Sequence, residues 1–275
     1  MPYTIYSSAS FQGEVGSETS YNLGSGTSYG ALGVQMSIDA FTAKNQYEPL
    51  YQLAQRSPIN YYTKGHQMSV NTKFVLAEDN KNWLNFILQN NGSGTYQVGN
   101  VSSGFATVYG GGKSYTASGL VFDGATLSFE EGKTVDVSMN ATGANLTMGT
   151  TAITPTYPSS FVTWTSATIN GITQPVNKMT LNIDNAPALY YGLGSVEYVT
   201  YIPLKFKVHG SLDIYHDADI IDTILSAPSN TVTINAGNYT FTISGLYYDT
   251  GEINIVPVTT VMDKLTFVGN TITIS

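Results

Sequence analysis

The sequence predicts a mainly β protein, and three observations carry that expectation. Apolar and polar residues alternate with a period of two in segment after segment. The clearest is Leu204 to Ile214, where Leu204, Phe206, Val208, Leu212 and Ile214 share one face and Lys205, Lys207, His209, Ser211 and Asp213 the other. Helix-spaced stripes are few and short. Charged residues make up only 11% of the 275-residue chain, while Gly numbers 27 and Tyr 20. Ser, Thr, Asn, Gly and Tyr must therefore supply the polar surface, as in sheet-rich proteins that spend much of that surface on one another.

Residues 1 to 33 are rich in Ser, Gly, Thr and Tyr with little periodicity, so they are expected to have no core of their own and to form an arm or lid ordered by a neighbour, or a loose terminus. Val34 to Ala40 alternates as a strand. In Gln46 to Arg56, Tyr47, Leu50, Tyr51 and Ala54 are helix-spaced, but Pro49 limits the segment to a first turn or a loop, closed by Ser57-Pro58. Met68, Val70, Thr72 and Phe74 form a strand that enters Glu78-Asp79-Asn80-Lys81. These have the acidic, capping chemistry of a helix first turn, with Trp83, Leu84, Ile87 and Leu88 as the buried stripe and Asn90-Asn91-Gly92 as the stop.

Short strands punctuated by turns follow: Tyr115 to Phe122, a turn at Asp123-Gly124, a strand beginning at Leu127 and Phe129, a hairpin at Glu131-Gly132-Lys133, and Val135, Val137 and Met139 in alternation. Gly149 to Ser160, with Pro155 and Pro158, is the linker candidate. It divides the chain into an arm (1–33), a first domain (34–150) and a second (151–275). Strands are expected at Phe161 to Ile172, Lys178 to Ile183 and Val196 to Ile202. After Ile214 the period changes at Asp217, and Ile220, Ile221, Ile224 and Leu225 fall on one side of a short helix capped by Asp217 or Asp219 and ended by Pro228 and Asn230. The last strands contain Val232 and Ile234, Tyr239 to Tyr248, Ile253 and Ile255, then Leu265, Phe267, Ile272 and Ile274.

A net charge of -8 and a pI near 4.7 argue against a phosphate-clamping protein and leave room for a wall that repels nucleic acid. The absence of cysteine removes disulfides, thiolate chemistry and Cys-ligated metals. The start has no basic segment followed by an apolar run, and no apolar stretch is long enough to span a bilayer, so the chain reads as cytosolically made and soluble.

No catalytic, cofactor or metal site emerges. His216 with Asp213, Asp217 and Asp219 could hold a divalent cation, but carboxylates are expected in a helix first turn without any ligand. His66 and His209 lie on wet strand faces with no identifiable partner. No G-x-S-x-G stands between strand and helix. Gly110-Gly111-Gly112-Lys113-Ser114 lacks the first glycine of a phosphate loop and precedes a strand, and Glu130-Glu131 reads as a solvated turn. Asn-x-Ser/Thr matches at Asn91, Asn100, Asn140, Asn145 and Asn238 come easily in so Ser/Thr-rich a chain.

Three pairs of segments lie over one another in the same order. Met36-Ser37-Ile38-Asp39 matches Leu181-Asn182-Ile183-Asp184; Trp83, Leu84, Ile87 and Leu88 match Ile220, Ile221, Ile224 and Leu225; Ser118-Gly119-Leu120-Val121-Phe122-Asp123 matches Ser244-Gly245-Leu246-Tyr247-Tyr248-Asp249. A strand-rich unit with one short helix after a long amphipathic strand, used twice, resembles the tail tube proteins of tailed bacterial and archaeal viruses. The run from Ser118 to Ser138 is similar to that family's strand, turn and strand ending in an acidic-glycine hairpin. Tyr190 to Ser195 followed by Phe206 to Tyr215 resembles its second half.

The resemblance implies two tandem tail-tube-like β-barrel or sandwich domains, each with one short helix. Six domains would close a ring, so three chains would form it with pseudo-sixfold symmetry, a hexamer being the alternative. Stacked rings would let DNA through without specific binding. The implied partners are the chain itself and other tail proteins, with no membrane, no cofactor and no enzymatic activity; the implied location is the virion tail, after synthesis in the host cytoplasm. Gln46 to Arg56 and Ala186 to Ser195 occupy corresponding places in the two copies and are the expected contacts between rings, with Tyr47, Arg56, Tyr190 and Tyr191 as the contact residues. The alternatives are the tube of a contractile injection or secretion-type machine, and a secreted carbohydrate-binding or adhesin β-sandwich. The second needs solvent-exposed Tyr and Trp forming a flat sugar platform, whereas Trp83 and Trp164 both sit in apolar periodic runs.

Overall fold

Period-two runs of the sequence become long antiparallel strands in the computed structural model, which describes residues 12–22, 24–50, 57–58, 60–169, 172–174, 176–191, 195, 197–203, 205–215, 230–254 and 262–275. In chain order, the strands of the first part are β1 (Gln12–Glu18), β2 (Gly26–Ser28), β3 (Val34–Leu50), β4 (Asn60–Val75), β5 (Gln89–Asn90), β6 (Tyr96–Gln97), β7 (Gly104–Gly110), β8 (Lys113–Glu130), β9 (Asp136–Gly143) and β10 (Asn145–Gly149). Those of the second part are β11 (Trp164–Ile169), β12 (Ile172–Gln174), β13 (Val176–Asp184), β14 (Pro187–Tyr191), β15 (Tyr198–Pro203), β16 (Lys207–Tyr215), β17 (Asn230–Ala236), β18 (Tyr239–Asn254), β19 (Met262–Gly269) and β20 (Thr271–Ile274). One turn of 3-10 helix, Asn82–Phe86, is the helical element among the described residues.

The pairings occur twice in the same order. In the first part β3 pairs with β4, β4 with β9 and β9 with the second half of β8. The first half of β8 pairs instead with β7 and β10, and β7 with β1 and β2 beyond it. In the second part β13 pairs with β16, β16 with β19 and β19 with the second half of β18. The first half of β18 pairs with β17 and β20, and β17 with β11 and β12 beyond it.

Irregularities repeat too. The ladder slips between Phe122 and Gly124 and again between Tyr248 and Thr250, and the hairpins β7–β8 and β17–β18 slip opposite Leu120 and Leu246. A third ladder, β8 with β13, joins the two fours into one sheet, with Lys178 opposite Glu130 and Asp184 opposite Gly124.

β8 and β18 each serve two sheets by turning a corner at a glycine. Gly119 (φ 62°) and Gly245 (φ 63°) hold the same left-handed conformation, and a Cβ there would sit 2.9 Å from the Ala144 Cβ and 2.5 Å from the Asn270 Nδ2. Gly119→Ala and Gly245→Ala should each cost about 1–3 kcal/mol of folding stability, read as a lower denaturant midpoint with unchanged slope.

The core is one apolar cluster shared by both parts, running through Trp83, Phe86, Phe122, Phe129, Phe241 and Phe267. Phe129 meets Trp164 and Phe241 edge-on at 6.1 and 5.7 Å. The parts are also interleaved: β6 adds to β20 through Tyr96 opposite Ile274. The Tyr239 hydroxyl, fully buried, lies 2.9 Å from the Ala77 carbonyl and 2.8 Å from that of Asn80. Both tryptophans are buried, as their periodic surroundings predict, and so offer no sugar platform.

The mainly β expectation holds, and of its two forms no closed barrel is found among the described residues. Other expectations are corrected. The 1–33 segment, where described, is part of the chain's own fold: β1 lies between β2 and β7, and Val15 and Leu32 are fully buried. The helix expected from Glu78 to Leu88 shrinks to Asn82–Phe86 with no acidic residue in its first turn. Tertiary bonds hold the preceding loop open: Asn80 Nδ2 donates to the Ala31 carbonyl at 2.8 Å, Lys81 Nζ to that of Asn238 at 3.0 Å, and Tyr239 engages the carbonyls of Ala77 and Asn80.

Asp123-Gly124 is a bulge inside the continuous β8, where Gly124 lets the Ile183 carbonyl approach to within 2.3 Å of where a Cβ would stand. Residues 46 to 50, expected as a turn or loop, extend β3, because Tyr47 to Leu50 pair across to Thr63 to Asn60. The Met36 to Asp39 alignment is out of step: Phe41 to Lys44 is the segment that occupies the place of Leu181 to Asp184, since each pairs with the corresponding stretch of β4 or β16. The Ser118 and Ser244 runs do superpose. The expected helix at 217–225 lies outside the described residues.

Candidate assembly surface

The joined sheet runs in the order β3, β4, β9, β8, β13, β16, β19, β18. Alternation gives it one apolar face, which supplies Val70, Phe74, Val137, Leu127, Leu181 and Leu212 to the core. The other face is polar, with Thr126, Ser128, Ser138, Asn140, Thr180 and Asn182 near its middle. Thr126 Oγ1 donates to Asn182 Oδ1 at 2.8 Å across the joint between the two parts.

Charges on this face come in opposed neighbours. Lys73 Nζ is 2.6 Å from Asp39 Oδ2, and Lys133 Nζ is 2.5 Å from Glu130 Oε1. Each lysine holds its carboxyl below the ordinary value, helped by the Ser37 hydroxyl at Asp39 and by the Lys178 charge at Glu130. One row crosses five strands with alternating sign: Glu130, Lys178, Asp213, Lys264 and Glu252 stand directly opposite one another in register. Opposite charges in such cross-strand positions attract.

Two edges of the joined sheet have no partner strand among the described residues: the outer edge of β3 and the outer edge of β18 from Tyr247 to Asn254. Their equivalents within the chain, β13 and β8, are paired to each other. Beyond that joint the β14–β15 hairpin packs on the first part. Asn185 N donates to the Asp123 carbonyl at 2.7 Å, Asn185 Nδ2 to that of Ile87 at 2.8 Å, and the Tyr201 hydroxyl to that of Val101 at 2.5 Å. The β3–β4 tip holds the corresponding place in the other part. Exposed apolar residues gather on both hairpins, with Leu50 and Tyr61 on one and Tyr190, Val199 and Ile202 on the other.

The residues singled out from sequence fall unevenly. Tyr47 is within β3, and Arg56 lies outside the described residues. Tyr190 is exposed on β14; Tyr191 is stacked on Tyr198 of its own hairpin at 4.4 Å. His209, expected to be without a partner, has Nε2 2.9 Å from Asp184 Oδ2, a contact between neighbouring strands that spacing along the chain could not announce. His216, Asp217 and Asp219 are outside the described residues, and no cluster of metal-ligating side chains occurs among the described ones. Gly111 (φ 63°) and Gly112 (φ 75°) make the β7–β8 hairpin turn, not a phosphate loop. Glu131 accepts from the Tyr215 hydroxyl at 3.2 Å, raising that tyrosine's pKa, while Glu130 faces Lys133.

The edges themselves were missed, together with Lys44 and Asn45 of β3, whose places correspond to Asp184 and Asn185. The repeated Asn was a signal that the correct alignment would have exposed. No helix among the described residues is long and apolar enough to cross a membrane.

A duplicated antiparallel module with a polar sheet face, opposite charges set against one another across it and long edges unpaired among the described residues has the make-up of a structural assembly protein. The family model for the phage tail tube protein matches residues 3–272, and the chain belongs to that family, as a structural protein of the virion tail. No curated protein matches it.

Proposed function

We propose that three copies of this chain close a ring of six modules, that rings stack into the tail tube, and that genomic DNA leaves the virion through it. The observation that carries this reading is the internal joint: β8 meets β13 within the chain, while their counterparts β18 and β3 have no partner strand among the described residues. Each module thus ends in one edge of each kind, and repetition of a single joint removes every open edge only by closing on itself. The units 34–150 and 151–275 are the two modules, with 12–33 built into the first. The polar face of the joined sheet lines the bore, and the hairpin tips bearing Tyr47 and Tyr190 meet the neighbouring ring.

DNA passes such a wall easily because Lys73, Lys178 and Lys264 on it stand opposite or beside carboxylates, which weakens their hold on phosphates. Negative-stain microscopy of the purified chain at high concentration should show tubes or holed rings, with a ring mass three times the 29.6 kDa of one chain. A monodisperse monomer would refute the assembly. Ser138→Lys with Asn140→Lys should leave tubes intact but slow DNA ejection, and raised salt should restore it, since each lysine–phosphate contact weakens as counterions compete. Ejection unchanged at low salt would refute the polar face as the bore.

A further inference from the structure

The internal joint specifies the residue register of the contact between chains. This rests on the ring proposed above and deepens it by naming which residues meet. The second half of β18 corresponds to that of β8 through the shared bulge, so Thr250 to Asn254 occupy the places of Gly124 to Ser128. Ala40 to Lys44 occupy the places of Thr180 to Asp184 through their matched pairing with β4 and β16.

We infer that β18 of one chain pairs antiparallel with β3 of a second copy in the register Thr250 opposite Lys44, Gly251 opposite Ala43, Glu252 opposite Thr42, Ile253 opposite Phe41 and Asn254 opposite Ala40. Backbone equivalence alone yields this register, and residue chemistry agrees with it independently. Ile253 opposite Phe41 repeats the apolar pair Leu127 and Leu181 of the internal joint. Glu252 opposite Thr42 sets an acceptor against a hydroxyl, as Thr126 and Asn182 do there. The charged row that crosses five strands ends on Glu252 at the open edge, and the register places Lys44 of the second copy diagonally across from it, so the alternation of sign runs on through the boundary. A slip by one residue would set the apolar positions of one edge against the polar positions of the other.

The chain has no native cysteine, so cross-linking reads the register directly. Residues directly opposite in an antiparallel pair have Cα atoms about 4.5–5.5 Å apart, within disulfide reach, whereas diagonal ones about 7–8 Å apart are not. Thr126→Cys with Asn182→Cys, across the internal joint, is the reference and should close within one chain.

Under mild oxidation of assembled material, Thr42→Cys with Glu252→Cys should give a covalent ladder ending at three chains. Thr42→Cys with Thr250→Cys should give at least about tenfold less. Ala40→Cys with Asn254→Cys tests the same register should the first pair impair folding. Tubes that form but cross-link only in the shifted pair, or in none, overturn the register and leave the tube reading standing. Failure of wild-type chains to assemble overturns both. A ladder reaching six chains supports the register and overturns the three-chain ring.

Discussion

Lys44→Glu is expected to raise the protein concentration needed for assembly about tenfold at low salt while leaving the separate chain as stable as before. Lys44 is exposed on β3, at the edge strand of the joined sheet, so reversing its charge removes no core contact. In the proposed ring it stands diagonally across from Glu252 at the end of the charged row, and the substitution would convert an attraction into a repulsion at each joint. A cross-strand charge pair contributes about 0.2–1 kcal/mol, so reversal costs about 1 kcal/mol per joint, and three joints must form together. About 3 kcal/mol lowers the three-chain association constant roughly 100-fold, since every 1.4 kcal/mol is tenfold, and because that constant carries the square of concentration the threshold rises about tenfold. Salt near 1 M should erase most of the effect by screening. Glu252→Lys in the same chain should restore part of the assembly, limited by Lys264 opposite it within the chain. Sedimentation across a concentration series measures all three; an unchanged threshold at low salt would remove this contact from the joint.

Tyr239→Ala should be the most damaging single change to folding, at about 3–5 kcal/mol. The ring is fully buried between Phe241, stacked at 5.8 Å, and the Lys81 ammonium 5.0 Å from its centroid, while its hydroxyl reaches the carbonyls of Ala77 and Asn80. Truncation leaves a cavity where the second part meets the loop before the 3-10 turn, and strips buried carbonyls of their donor. Tyr239→Phe separates the two causes: it keeps the ring, loses only the donor and should cost about 1–2 kcal/mol. Burial also pushes the Tyr239 phenol well above its ordinary value, so the hydroxyl stays a donor throughout the neutral range. Chemical denaturation of the three chains measures the differences, and equal losses for Phe and Ala would contradict the cavity.

Much of the fold is legible in the chain because burial of one sheet face imposes a period of two on local sequence. Met68, Val70, Thr72 and Phe74, then Met179, Leu181 and Ile183, then Val208, Leu212 and Ile214 are all buried as alternation requires. The superposition of Ser118 to Asp123 on Ser244 to Asp249 is legible for a different reason. Both runs contain the glycine corner and the bulge, which tolerate few residue types. The Met36 alignment fails where no such constraint acts, since alternating strands resemble one another wherever their apolar positions coincide, and the bulge between Ile38 and Ala40, set by the partner strand, changes the phase of β3. The helix before Leu88 was overextended because propensity at Glu78 to Lys81 is outweighed by bonds to Ala31, Asn238 and Tyr239, all remote in sequence. His209 and Asp184 meet only because β13 and β16 are neighbours.

Sequence alone determined the mainly β class, the burial of both tryptophans and the repeat of the Ser118 and Ser244 runs, because each follows from residue type and local spacing. Tertiary structure decided which strands pair, and therefore that the joint between β8 and β13 lies inside the chain while its counterpart edges on β18 and β3 have no partner among the described residues. The physical reason is that an inter-strand hydrogen bond joins backbone groups of residues far apart in the chain and is indifferent to most side chains, so the identity of a partner strand is recorded in the fold as a whole.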